Sequence, residues 1–200
     1  MPDATPRGAL RQKRKEATRQ EILAAAVALF EAQGLQQLTI RSLAAKVKYS
    51  PMALYAYFPG KDDLIREVVG VLFTQLGARL AEAAARTSPA DQIRAVSDAY
   101  LAFAAENPGR YQMLFGAATG PVPAMPGQAA YNVLLQCVEQ KLPEGRRTDA
   151  KIQRVALALW AGLHGLASLS LAMPDAPFET AGVTQALTGA ILRGFLIQSD

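Results

Sequence analysis

The sequence predicts an all-α protein of about nine helices, with an N-terminal three-helix helix-turn-helix unit followed by a larger helical domain. Three observations predict it. Apolar residues recur at three- and four-residue spacing through the long stretches of the chain. A polar cap followed by proline occurs at Ser50-Pro51, Ser88-Pro89 and Asn107-Pro108. Proline suits a first helical turn, because the N–H it lacks would have no helical partner there. Half of the 200 residues are apolar, which is enough to bury a proper core.

The chain is organised around residues 38–61, LTIRSLAAKVKYSPMALYAYFPGK. Ile40, Leu43, Ala44 and Val47 follow helical spacing, Lys48-Tyr49-Ser50 interrupts, and Pro51 to Phe58 resumes. Thr39 and Ser50 stand where N-caps belong. The second of these helices is expected to be about two turns long, too short to persist alone in water. Leu54 and Phe58 share its apolar stripe and would hold it against neighbours. Ser50, Met52, Ala53, Tyr55, Ala56 and Tyr57 are left for its other face, with Lys48 and Lys61 at the edges. Small residues permit close approach, tyrosines offer a ring and a hydroxyl, and lysines meet phosphates. That is a surface fit for duplex DNA, and equally the composition of an ordinary helix with half-buried tyrosines.

Charge divides unevenly. Residues 1–62 hold ten Lys or Arg against five Asp or Glu, whereas residues 63–200 hold eleven against twelve. The net charge of +4 therefore comes from the helix-turn-helix end, as expected where phosphate contacts and counterion release supply affinity. Residues 1–14 contain Pro2, Pro6 and Gly8 without periodicity, and read as a flexible basic arm of the kind that lies in a minor groove. Met1 to Lys15 has no apolar core segment, so no signal peptide is expected. The single Cys137 cannot make an intrachain disulfide, and a cytoplasmic location fits.

Thr18 and Glu21 form a capping-box pattern ahead of Ile22, Ala26, Leu29 and Phe30, which predicts a first helix ending near Gly34. Residues 15–62 then make the helix-turn-helix domain and 63–200 a second helical domain. Leu64, Val68, Leu72, Leu76 and Leu80 line a long fourth helix that runs to about Arg86. A fifth helix is expected over Pro89 to Glu106, a sixth over Pro108 to Phe115, a loop over Gly116 to Gly127, and a seventh helix over Gln128 to Leu142. Cys137 reads as a small core residue. Val155 to Met173 lacks charge for nineteen residues, long enough for a bilayer. Its small-residue stripe, Ala161, Gly165, Ser168 and Ala172, matches Gly182, Ala186, Ala190 and Gly194 of a last helix, which predicts a self-complementary dimer interface rather than a membrane span.

The wording from Ser50 to Phe58, followed by Lys61-Asp62-Asp63-Leu64, resembles the recognition helix and following helix start of the tetracycline-repressor (TetR-type) regulators. Ile22 to Ala26, Leu29-Phe30, Gly34, Leu38 to Ile40 and Leu43-Ala44 resemble the same family. Two positions depart from it: Lys48 replaces a customary turn glycine, and Tyr57 a customary histidine. Trp160 to Gly165, with Asn107-Pro108 and Tyr111 to Phe115, resembles a C-terminal regulatory domain of that family with a Trp-His-Gly motif. The resemblance implies a homodimeric regulator, most simply a repressor, of a palindromic double-stranded DNA site, released by a small apolar or amphipathic effector. It implies phosphate contacts from Thr39, Lys61, Tyr55 and Tyr57, and base-edge contacts from Ser50, Pro51, Met52 and Ala53. Arg41, Lys48 and Tyr49 join the DNA-binding set by charge and position.

For an effector pocket the aromatic and polar candidates are Tyr100, Phe103, Tyr111, Met113, Phe115, Trp160 and His164, although an aromatic stripe is also what a plain core uses. One histidine, one cysteine, no glycine-rich phosphate loop and no ligand-spaced carboxylates exclude most enzymatic chemistry, metal centres and cofactors. A regulator that keeps the DNA-binding fold but answers to a protein, or to no ligand, is the alternative.

Overall fold

In a computed structural model, which describes residues 6–116, 128–176 and 179–197, the chain forms nine α-helices and a short 3-10 turn, with no strand among the described residues. The helices are α1 (Pro6–Gln33), α2 (Ile40–Val47), α3 (Pro51–Tyr55), α4 (Lys61–Ala85), α5 (Gln92–Glu106), α6 (Pro108–Phe115), α7 (Gln128–Lys141), α8 (Asp149–Ala172) and α9 (Thr180–Ile197). The expected loop over 116–127 falls, from residue 117 on, outside the described residues.

Four boundaries differ from the sequence reading. Residues 6–14 are helix rather than a flexible arm, and Thr18 sits inside α1 instead of capping it. Pro6 occupies the first turn, and residues 9–17 are Ala, Leu, Arg, Gln, Lys and Glu, which propagate a helix without needing an apolar face. The segment after Ser50 is helical only to Tyr55, because Ala56 and Tyr57 close as a turn and the Phe58 N–H donates back to the Leu54 carbonyl at 2.9 Å. The fifth helix starts at Gln92: the Ser88 hydroxyl donates to the Asp91 carboxylate at 2.9 Å, so Pro89 lies in the preceding turn. The eighth begins at Asp149, capped by Thr148, six residues before the uncharged run.

The chain divides into two compact units, and the division falls inside α4, between Val71 and Leu72, instead of at residue 62. The first unit holds the described residues to Val71 together with Met113 to Gly116; the second holds Leu72–Gln112 and the described residues from Gln128 on.

In the first unit α1 packs on α2, and α2 on α3. Ile22, Leu23, Ala26, Leu38, Leu43, Leu54, Phe58 and Leu64 are fully enclosed there. Burying each large side chain contributes about 1.5–3 kcal/mol, which holds the single turn and a half of α3 in place. Gly34 ends α1 in the left-handed region at φ 78°, where its N–H donates to the Phe30 carbonyl at 2.7 Å.

In the second unit α8 is central, in contact with α5, α7 and α9. Gly77 of α4 lets that helix approach α7 closely, since a Cβ there would lie 3.1 Å from the Ala130 nitrogen. The Arg79 guanidinium makes a forked ion pair with Glu106, at 2.7 and 3.0 Å, linking α4 to α5. This contact raises the Arg79 pKa and lowers that of Glu106. By length and composition α4 and α8 could each cross a membrane, a test that the core helices of globular proteins also pass.

Candidate functional site

The helix-turn-helix is built by side chains that satisfy its loose backbone ends. Thr39 and Ser42 form a reciprocal capping box at the start of α2, with both N–H···Oγ distances 3.0 Å. At the other end Lys48 takes the left-handed conformation, φ 59° and ψ 34°, and both its N–H and that of Tyr49 donate to the Ala44 carbonyl. Lys48 is the one non-glycine residue with positive φ among the described residues. Ser50 then caps α3, its hydroxyl accepting from the Ala53 N–H at 3.2 Å.

This geometry presents an outward surface. Met52 is 79% exposed, Tyr55 50% and Tyr49 45%. Arg41, Lys48, Ser50, Pro51 and Lys61 are also exposed, whereas Thr39, Ala53 and Tyr57 are half-buried. Eight large hydrophobic residues are exposed among those described, and three of them lie within seven residues of this turn.

Arg19 was missed by the sequence reading. From α1 it reaches Glu67 of α4 at 2.6 Å and lies over the Phe58 ring at 5.4 Å from the centroid. It braces the segment after α3 by a cation–π contact and an ion pair at once. No spacing along the sequence connects residues so far apart.

A buried aromatic cluster lies in the second unit. The Tyr111 hydroxyl is 2.7 Å from His164 Nδ1, 3.3 Å from the Ser168 hydroxyl and 3.2 Å from the His164 carbonyl. Tyr100 reaches the same His164 Nδ1 at 3.3 Å, and its ring meets Trp160 at 5.4 Å. Burial, with the Tyr111 hydrogen bond next, pushes the Tyr100 pKa up; burial pulls that of His164 down. The cluster therefore brings together Tyr100, Tyr111, Trp160 and His164 of the expected effector set. Phe103 is buried on α5, whereas Met113 and Phe115 belong to the first unit. Tyr131, not foreseen, meets Trp160 at 5.7 Å and donates to the Gln153 carbonyl at 3.3 Å. Its spacing from Leu134 and Val138 was the available signal. A groove of about 350 Å³ runs along α7 and α8, lined by Asn132, Leu135, Gln136, Glu139, Asp149, Ile152 and Gln153, none of them from that set.

Four more exposed large hydrophobic residues, Leu157, Leu169, Met173 and Val183, lie on or beside α8 and α9. Ala161, Ala172, Ala186, Ala190 and Gly194 are exposed with them, and Gly165, Ser168 and Gly182 are half-exposed. A Cβ added at Gly165 or Gly194 would meet nothing within 4 Å, so those glycines are not spent on packing inside the chain. Gly162 is: a Cβ there would lie 2.7 Å from Leu187 of α9. Free Cys137 is buried, with its thiol pKa pushed up by burial, and no metal-binding cluster occurs among the described residues.

Comparison with known proteins agrees with this architecture. Residues 22–68 match the family described as bacterial regulatory proteins, tetR family, and residues 93–191 match the tetracyclin repressor-like C-terminal domain. An uncharacterized HTH-type transcriptional regulator of Mycobacterium tuberculosis is 41% identical over 58 residues, 29% of this chain and 27% of that protein. The nucleoid occlusion factor SlmA of Vibrio vulnificus is 34% identical over 108 residues, 52% of this chain and 54% of that one. The chain thus spans between about a quarter and about half the length of these curated relatives.

Among solved structures, a protein of unknown function from Rhodococcus sp. RHA1 superposes with a TM-score of 0.72 at 24% identity, covering 88% of this chain and 94% of that one. A TetR-family transcriptional regulator from Streptomyces coelicolor does so with a TM-score of 0.63 at 20% identity, covering 89% and 99%. At these identities the likeness is one of fold. With both halves matched in order by family models, and the fold shared along nearly its whole length, the chain belongs to the tetracycline-repressor family of bacterial transcriptional regulators.

Proposed function

We propose that the protein is a homodimeric, sequence-specific DNA-binding regulator, acting as a repressor in the cytoplasm and released by a small apolar or amphipathic ligand. The observation that carries the DNA-binding part is the exposed group Tyr49, Met52 and Tyr55, flanked by Arg41, Lys48 and Lys61, on a turn whose backbone is fully capped. The small residues Ser50, Pro51 and Ala53 at the α3 start would approach base edges, while Thr39, Tyr57 and Lys61 hold phosphates. The Thr39 hydroxyl accepts from the Ser42 N–H and shares a 2.9 Å hydrogen bond with the Ser42 hydroxyl, so it would have to turn its proton away from Ser42 to meet a phosphate oxygen.

Dimerisation is supported by the uncovered apolar faces of α8 and α9, whose small residues would let two copies form a four-helix contact about a two-fold axis. Two copies of α3 held about 34–36 Å apart would enter successive major grooves. A ligand that binds the second unit better when that spacing is wrong would release the DNA. The seat assigned to such a ligand is the cluster around Tyr111 and His164, where aromatic rings and a few polar tips stand together.

Ligand-independent regulation is the second reading. It is favoured by the mutual hydrogen bonds of the Tyr100, Tyr111, His164 and Ser168 side chains, which satisfy one another as a finished core does. Selection of bound duplexes from a random pool, with the oligomeric state measured in parallel, tests the leading reading. A palindromic consensus bound by a dimer is expected; a monomer without salt-sensitive affinity for duplex DNA would overturn it. A concentration-dependent rise in melting temperature with apolar compounds separates the ligand-responsive version from the ligand-independent one.

A further inference from the structure

We propose that residues 6–17, the first three turns of α1, form a stiff basic overhang that grips the phosphate backbone of the same duplex beyond the stretch read by α3. The inference rests on the DNA-binding reading and adds a contact that α2 and α3 do not make.

Among the described side chains of α1 the first buried one is Ile22, and residues 9–17 are all exposed, so those turns stand clear of the packed part of the helix. Leu10 is 52% exposed, and Arg11, Lys13, Arg14 and Lys15 are all exposed. None of these four cations has an acidic partner among the described residues. By contrast Arg19, Arg66, Arg79, Arg86 and Arg94 are each ion-paired. The one acid in that stretch, Glu16, accepts a hydrogen bond from Gln20 at 2.7 Å.

Arg11, Arg14 and Lys15 stand at i, i+3 and i+4 on one face, where like charges repel. That repulsion is concentrated in one exposed stretch of helix, with no acidic partner among the described residues to offset it. A polyanion laid along that face relieves it.

The position of the overhang points to the duplex as that polyanion. One turn on from Lys15, Arg19 lies over Phe58 and binds Glu67, and Phe58 follows the end of α3 by three residues. The basic face therefore leaves the body of this unit one helical turn from the bracing of the recognition segment. Twelve helical residues extend about 18 Å, or roughly five base pairs of duplex. A preformed helix holds its charges in register without the ordering entropy that a flexible arm would lose.

The test measures binding of the full chain to a duplex roughly four helical turns long, by fluorescence anisotropy between about 50 and 200 mM KCl. Each lost phosphate contact lowers the log–log salt slope by about 0.9, so Arg11→Gln/Arg14→Gln/Lys15→Gln is expected to lower it by about 2–3 per protomer. Ala17→Pro keeps every charge but cuts the overhang from α1, since proline is tolerated where the remaining helix would begin. Its expected slope lies between those of the wild type and the triple variant.

An unchanged slope in the triple variant, with the wild type binding normally, overturns the overhang alone. An unchanged slope in Ala17→Pro overturns the stiff-platform claim. Absence of any salt-sensitive binding by the wild type instead overturns the DNA-binding reading itself. Anionic vesicles provide the remaining arm: binding lost in the triple variant, with duplex affinity intact, would assign the face to a membrane and overturn the proposal.

Discussion

The phenolic oxygen of Tyr111 on α6 lies 2.7 Å from Nδ1 of His164 on α8, and the two rings stack with centroids 5.6 Å apart. A hydroxyl and an imidazole with little access to water each need a partner, and here each is the other's. Tyr111→Phe keeps the ring and removes the shared oxygen, leaving the imidazole and the Ser168 hydroxyl with fewer partners. Thermal or urea denaturation is expected to register a loss of about 1–3 kcal/mol.

Stability should also depend on pH through His164. Burial holds its folded pKa below the ordinary 6.5. Between those two values the unfolded chain binds the proton and the folded chain does not, so stability rises with pH across that window. The contribution is intact above about pH 6.5 and lost as pH falls below it toward the folded pKa. In His164→Gln the decline between about pH 7 and pH 5.5 should shrink relative to the wild type, measured as melting temperature against pH.

Lys48 separates fold from function. Its left-handed backbone, φ 59°, costs a side-chain-bearing residue about 1 kcal/mol that glycine avoids. Lys48→Gly should therefore stabilise the protein by roughly that amount. If its exposed ammonium meets phosphate, the same change weakens DNA binding, so melting temperature and affinity move in opposite directions.

Gly162 and Gly165, three residues apart on α8, should respond oppositely to alanine. At Gly162 the new Cβ would sit 2.7 to 3.2 Å from three side-chain atoms of Leu187, so that side chain must move within the α8–α9 contact. Gly162→Ala is expected to cost about 1–3 kcal/mol. At Gly165 nothing lies within 4 Å, and alanine should add about 0.5–1 kcal/mol through helix propensity. If Gly165 instead faces a second copy, its variant dissociates at higher protein concentration, which analytical ultracentrifugation would register.

Within the exposed turn, phosphate and base contacts should part company. Lys61→Ala or Tyr57→Phe is expected to weaken binding to all duplexes alike, with a shallower salt slope, whereas substitution of Ala53 should change which duplexes are preferred. Gel-shift titrations across a panel of duplexes distinguish the two behaviours. No loss for Lys61→Ala would remove it from the phosphate-binding set.

The elements most legible in the sequence are those whose signals are local. Ser50 ahead of Pro51, Thr39 ahead of Ile40, and Gly34 after Phe30 mark backbone ends whose partners lie within four residues. The start of α1 was misread because Pro6 and Gly8 outweighed nine strong helix formers after them, although proline in a first turn breaks nothing. The length of α3 was overestimated because Tyr57 and Phe58 continue the apolar pattern while the backbone has already turned.

By itself the sequence determined the helical class, the order of the helices, the capped helix-turn-helix and the concentration of positive charge at one end, since each depends on neighbouring residues or on composition. Only the tertiary structure decided that Arg19 braces Phe58, that Tyr111 and His164 share a hydrogen bond, and that Gly162 rather than Gly165 receives Leu187. Those are contacts between residues 25 to 53 positions apart. The rotation and crossing of whole helices set them, and helical periodicity specifies a face without specifying what will lie against it.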